Sequence, residues 1–85
     1  MNRDINPIEP VAVVPHDTNN LPDGIARCIR AGTGGDIQIL TANGKTVVIP
    51  DVQDGVWEPI YVRRVFITNT TATDILVGYS PNDIV

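Results

Sequence analysis

Residue types that do chemistry are scarce in this sequence. Cys28 is its only cysteine and His16 its only histidine. With an aspartate they form the one nucleophile–base–orienter set on offer. The simpler reading takes Cys28 as a small apolar core residue, as free cysteines usually are, and His16 as a loop residue beside Pro15. Catalysis needs rigid placement, and His16 lies in the stretch poorest in structure-forming signals. A single cysteine and a single histidine also exclude an intrachain disulfide and a His/Cys zinc cage within one chain.

Other short motifs carry no more. Asp51 and Asp54 stand in PDVQDG. A calcium loop needs six or more converging oxygens, and the EF-hand spacing with its closing glutamate is missing, so a turn accounts for these residues. Gly32-Thr33-Gly34-Gly35 has the composition of a phosphate cradle. Such cradles act through the N-terminus of a following helix, whereas strand-like sequence follows here. Arg63-Arg64 reads as ordinary surface or interface pairing. Trp57, close to Pro59, is either an interface anchor or a lid over the core. No catalytic, cofactor-binding or metal-binding set is assigned, and the chain reads as a structural or binding module, not an enzyme. Val11, Val13, Val14, Trp57, Tyr61, Arg63 and Arg64 are the residues assigned to a partner interface.

The surrounding elements read as strands. Prolines at 7, 10, 15, 22, 50, 59 and 81, with glycines at 32, 34 and 35, leave few uninterrupted windows for a helix. Between them lie short runs rich in Val, Ile and Thr. Residues 36–41 and 45–49 predict a hairpin. Asn43-Gly44 would supply the positive φ angles of a type I′ turn, with Ile37, Ile39, Val47 and Ile49 on one face. Residues 60–68 predict a strand in which a bulge at Arg63-Arg64 turns both Val62 and Val65 to the core. Residues 75–79 predict its antiparallel neighbour, joined through the Thr-rich link 69–74. Residues 25–31 read as a strand, with a helical turn as the alternative.

The fold class expected is therefore all-β: a small antiparallel β-sandwich or barrel of five to six short strands with an extended proline-rich N-terminal arm. Residues 1–22 form that arm or an edge strand, and residues 23–85 a single β-domain. Fully extended, residues 1–22 would reach about 70 Å at roughly 3.3 Å each.

The 85 residues make one domain. A chain of this size removes only about 60–65% of its extended surface from water on folding. With neither disulfide nor metal to help, partners are the remaining source of stability. The net charge of −4 argues against nucleic acid as a partner, which calls for a basic face. No apolar run approaches the roughly 18 residues that span a bilayer, so no membrane is expected. The N-terminus lacks the basic-then-apolar order of a signal peptide, so a cytosolic, soluble origin is expected.

Five phrases in order are Ala31-Gly32-Thr33-Gly34-Gly35-Asp36-Ile37, Asn43-Gly44, Val48-Ile49-Pro50-Asp51-Val52 with Gly55, Pro59-Ile60-Tyr61-Val62-Arg63-Arg64-Val65, and Asn69-Thr70-Thr71-Ala72-Thr73-Asp74-Ile75. Together, over roughly residues 23–80, they resemble small virion proteins of tailed bacteriophages and gene transfer agents, the head spike base and capsid decoration proteins. The family pattern has a glycine before Thr-Thr-Ala; here Asn69-Thr70 precede Thr71-Ala72, and asparagine tolerates positive φ. The resemblance implies a homo-oligomeric β-domain on the outer surface of the virion head, without catalysis or cofactor. Its implied partners are the major capsid protein, further copies of itself in a homotrimer or homopentamer, and another spike or fibre protein. The alternative is a fibre- or tail-associated module that binds host carbohydrate by stacking on Trp57 and Tyr61.

Overall fold

Strands form where the apolar runs lie between breakers. The computed structural model describes residues 8–80, and no helix occurs among them. In chain order the strands are β1 (Glu9–Ala12), β2 (Cys28–Thr33), β3 (Gly35–Thr41), β4 (Thr46–Val52), β5 (Val62–Val65) and β6 (Thr73–Tyr79). They make two three-stranded antiparallel sheets, ordered β1-β6-β2 and β4-β3-β5. The all-β fold of short antiparallel strands is thus the one the sequence predicts. An arm projecting through residues 1–7 lies outside the described residues.

Period-2 alternation places the core. Ile29 and Ala31 of β2, Ile37 and Ile39 of β3, and Ile75, Val77 and Tyr79 of β6 turn inward from both sheets and are buried. They join one cluster with Val62 and Val65 of β5. Burying one such aliphatic side chain contributes about 1.5–3 kcal/mol. The bulge expected in β5 is present. Val65 pairs with Ile39, Arg64 with Leu40 and Val62 with Thr41, so Arg63 is the extra residue. Both valines are buried as a result.

Three local expectations are corrected. The β3–β4 connection is a three-residue loop, Ala42-Asn43-Gly44, in place of a type I′ turn. Only Gly44 has positive φ, at 85°. Thr41 N–H donates to Lys45 O at 2.8 Å, and the Thr41 hydroxyl accepts the Lys45 N–H at 3.1 Å. That register sets Ile37 opposite Ile49 and Ile39 opposite Val47. A two-residue turn would slide the strand by one and send Val48 inward instead.

Second, β5 and β6 are not neighbours. The Thr-rich link runs along β3 before crossing to the other sheet. Thr70 Oγ1 accepts the Gln38 N–H at 3.0 Å, and Thr71 Oγ1 accepts the Asp36 N–H at 2.9 Å. Four-residue β5 is too short to satisfy these groups, and the threonine hydroxyls take its place. Asn69 has φ 63° and donates its amide to Gln38 Oε1 at 2.8 Å. Third, the strand expected over residues 25–31 begins only at Cys28, and Ile25 lies outside it. This residue is exposed, because the chain bends at Arg27 before β2 begins.

Residues 8–22 pack on the domain. β1 pairs with β6 from Glu9↔Tyr79 to Ala12↔Leu76, and Val13 N–H continues the ladder to Ile75 O at 2.9 Å. In that alternation Pro10 faces away from β6, where its missing N–H costs no ladder bond. The chain then crosses to the other sheet. His16 N–H donates to Val65 O and Leu21 N–H to Arg63 O, both at 2.9 Å. Residues 13–22 are therefore a strap over one open side of the sandwich. The outer edge of β2 is covered by the segment after β4, where Ile29 and Glu58 exchange backbone bonds of 3.0 and 2.7 Å. Among the described residues no strand lies beyond β4.

Candidate interaction surfaces

Asp17 anchors the strap. Its Oδ1 accepts the N–H groups of Ile67 (2.9 Å) and Thr68 (3.0 Å), and its Oδ2 the Thr68 hydroxyl (2.9 Å). Hydrogen bonds from Thr68, then from Ile67, with His16 nearby, hold the carboxyl below its ordinary value. Arg64 closes the other end. Its Nε donates to Asn20 Oδ1 at 3.0 Å and its Nη1 to Asp17 O at 3.2 Å, while the guanidinium lies 5.4 Å from the centroid of the Phe66 ring.

Beneath the strap is an apolar pocket of about 360 Å³ between Val11, Val13, Leu21, Val65, Val77 and Tyr79, with Val14 and His16 also on its wall. The Tyr79 hydroxyl donates to Gly24 O at 3.0 Å. Burial, with Asp23 adding to it, raises the phenol above its ordinary value, so it stays a neutral donor.

Val11, Val13 and Val14 thus meet at one place. Val11 and Val13 turn toward the core, and Val14 is 88% exposed. Arg63 reaches the opposite way from Arg64: its Nη2 donates to Ala42 O at 2.7 Å at the hairpin tip, and its buried Nε has no partner. Tyr61 is 57% exposed. Trp57 is half-buried on the outer face of the β1-β6-β2 sheet, where a Cβ at Gly78 would stand 3.4 Å from its Cζ3 and 2.6 Å from Cys28 Sγ. The predicted contact residues therefore fall on several surfaces, not one.

The residues weighed for catalysis are kept apart. Gly78 and the Cys28 thiol lie on the outer face of that sheet, while Val77 and Tyr79 face the pocket that His16 lines. Burial raises the thiol above its ordinary value, which disfavours the nucleophilic thiolate. His16 Nδ1 accepts the N–H groups of Thr18 and Asn19 at 3.1 Å, which commits it to shaping the strap. Asp54 Oδ1 accepts the Gly34 N–H at 2.5 Å and Asp36 Oδ1 the Asp51 N–H at 3.1 Å. These carboxylates cap backbone groups, that of Gly34 at the β2–β3 junction and that of Asp51 near the end of β4. Among the described residues no group of His, Cys, Asp and Glu is arranged to hold a metal.

Sequence reasoning missed several exposed apolar side chains: Ile25, Val47, Val48, Val56 and Ile67. Adjacent valines at 47 and 48 carried a signal, since a strand turns successive side chains to opposite faces.

No protein-family model matches the chain, and no curated protein matches it. Among solved structures, a chain of the capsid of a native GTA (gene transfer agent) particle, computed with C5 symmetry, superposes with a TM-score of 0.70 at 30% identity. The match covers 81% of this chain and 80% of that one. This chain belongs to the family of that capsid component. The shared length takes in most of the two-sheet domain, so the relationship concerns the fold as a whole and not a local motif.

Proposed function

We propose that this protein is a structural component of a bacteriophage-like virion, mounted on the outside of the head. There it acts as capsid decoration or as a head spike base, binding neighbouring subunits of the major capsid protein. The observation that carries this reading is the 30% identity to a GTA capsid chain across most of both chains. The physical reading supports it. A small sandwich with apolar residues left on several surfaces gains stability from whatever it docks on, because a partner that binds only the folded form shifts the equilibrium toward it. Many copies on one lattice also reinforce one another. The role is non-enzymatic: the thiol and imidazole lie on opposite sides of a sheet, and the carboxylates cap backbone.

Self-association accompanies the role, as a trimer at local threefold positions or a pentamer at the vertices, with a further spike or fibre protein mounted on top. Cryo-EM of heads assembled with and without the chain tests this. The two-sheet domain is expected as added density on the outer head surface, at positions of threefold or fivefold symmetry. Density confined to the tail, or heads indistinguishable in its absence, would overturn the reading.

A further inference from the structure

Among the described residues the outer edge of β4 pairs with no strand and is built for pairing. Gln38 turns both its backbone groups toward the β5 side: its O accepts the Phe66 N–H at 2.9 Å and its N–H donates to Thr70 Oγ1. Its partner across the ladder is Val48, which must then point its own N–H and C=O away from β3. Two residues away, Thr46 does the same. Pro50 is the next outward position and has no N–H to offer. Val47 shares the inner face with Ile39 and Val48 the outer face with Gln38, yet they are 41% and 40% exposed. An unpaired edge with apolar side chains on both faces is a template for another strand.

Charge selects the occupant. β4 begins beside cations, Lys45 and the Arg63 guanidinium on Ala42 O, and ends among carboxylates, Asp51 and Asp36. A second β4 laid antiparallel sets each cationic end against the other's acidic end, whereas parallel pairing would set like against like. We propose that this edge pairs with the β4 edge of a second copy of the chain, antiparallel about a two-fold axis at Val47. In that register Thr46 of each copy exchanges backbone bonds with Val48 of the other, and neither Pro50 is used. Val47 faces Val47 in a non-hydrogen-bonded pair, where side chains come closest. Lys45 stands opposite the second copy's Ile49, two residues from its Asp51. The contact is isologous. It joins copies in pairs and does not by itself close a ring.

Because the pairing belongs to the chain itself, it is tested without capsids. Cys28→Ala combined with Val47→Cys leaves one thiol, on the proposed axis. Facing residues of this kind are about 4.5 Å apart between Cα atoms, within the reach of a disulfide. Mild oxidation of the full-length variant is expected to give a covalent dimer, while Cys28→Ala with Thr73→Cys, on exposed β6 surface, gives none. Val48→Pro removes an outward N–H from each copy and is expected to weaken self-association about tenfold or more by sedimentation equilibrium. Absence of the Val47→Cys cross-link at millimolar protein, or equal cross-linking through Thr73→Cys, would overturn the proposal. Failure of head attachment would leave it standing, and failure of the cross-link would leave the capsid reading standing.

Discussion

Asp17 takes both the backbone N–H of Thr68, at 3.0 Å, and its hydroxyl, at 2.9 Å. The two residues are 51 positions apart, so this carboxylate ties the N-terminal strap to the turn after β5. Its pKa is lowered in the folded state, chiefly by Thr68. A lowered pKa contributes stability that is present above the ordinary value and lost as pH falls through the folded one. Stability of the wild type is therefore expected to decline from about pH 4 downward partly through this group. Asp17→Asn should flatten that part of the profile and speed hydrogen exchange at the Ile67 and Thr68 amides at neutral pH. Identical acid profiles for the two proteins would remove Asp17 as the anchor.

Tyr79 makes the corresponding tie on the other side of the pocket, through its hydroxyl on Gly24 O. Tyr79→Phe keeps the ring and leaves that carbonyl without this donor. The loss is expected to be about 1 kcal/mol in denaturant unfolding. The raised phenol pKa gives the opposite pH sign: its contribution is complete below the ordinary value of 10.0 and fades as pH climbs above it. A wild type and Tyr79→Phe variant that lose stability equally above pH 10 would contradict this assignment.

Gly78 is required by what lies over it, not by its φ. A Cβ there would stand 2.6 Å from Cys28 Sγ, 2.9 Å from Ile8 Cδ1 and 3.4 Å from Trp57 Cζ3. Gly78→Ala is expected to destabilise by about 1–3 kcal/mol, the usual range for overpacking, and to change Trp57 fluorescence as the indole is displaced. Adding Cys28→Ala should restore part of the loss, since it removes the closest of the three atoms. A Gly78→Ala protein with unchanged stability and fluorescence would show that Trp57 does not rest there.

The all-β fold was legible because breakers and Val/Ile/Thr runs are local signals, and so was the β5 bulge, since only an extra residue turns both Val62 and Val65 inward. Strand partnership was not. The link 69–74 reads as a short connection between neighbours, but its threonines instead satisfy Asp36 and Gln38, a use of side chains that spacing does not reveal. The strap was illegible for a similar reason. His16, Asp17 and Leu21 look like loop sequence until Val65, Thr68 and Arg63 are beside them. For the surfaces, Trp57 and Tyr61 stood out as aromatics, whereas the Val47-Val48 edge depends on which strand ends a sheet, and that is a property of the whole topology.

Truncation separates the N-terminal segment's part in the fold from any part in docking. β1 supplies Val11 to the core cluster and covers one edge of β6, with Val13 bonded to Ile75 O. Removing residues 1–12 is therefore expected to uncover β6 and cost several kcal/mol, about 1.5–3 for the valine alone when fully buried, with a lower thermal midpoint and a weakened β signal in circular dichroism. Removing only residues 1–7 touches none of the β1–β6 pairs and should leave the midpoint unchanged. If that shorter truncation nevertheless lowers occupancy on heads, residues 1–7 act in attachment. If occupancy stays at the wild-type level, attachment rests on the domain itself. A loss of thermal stability from removing residues 1–7 would instead mean that the segment belongs to the fold, and would contradict the pairing limits given for β1.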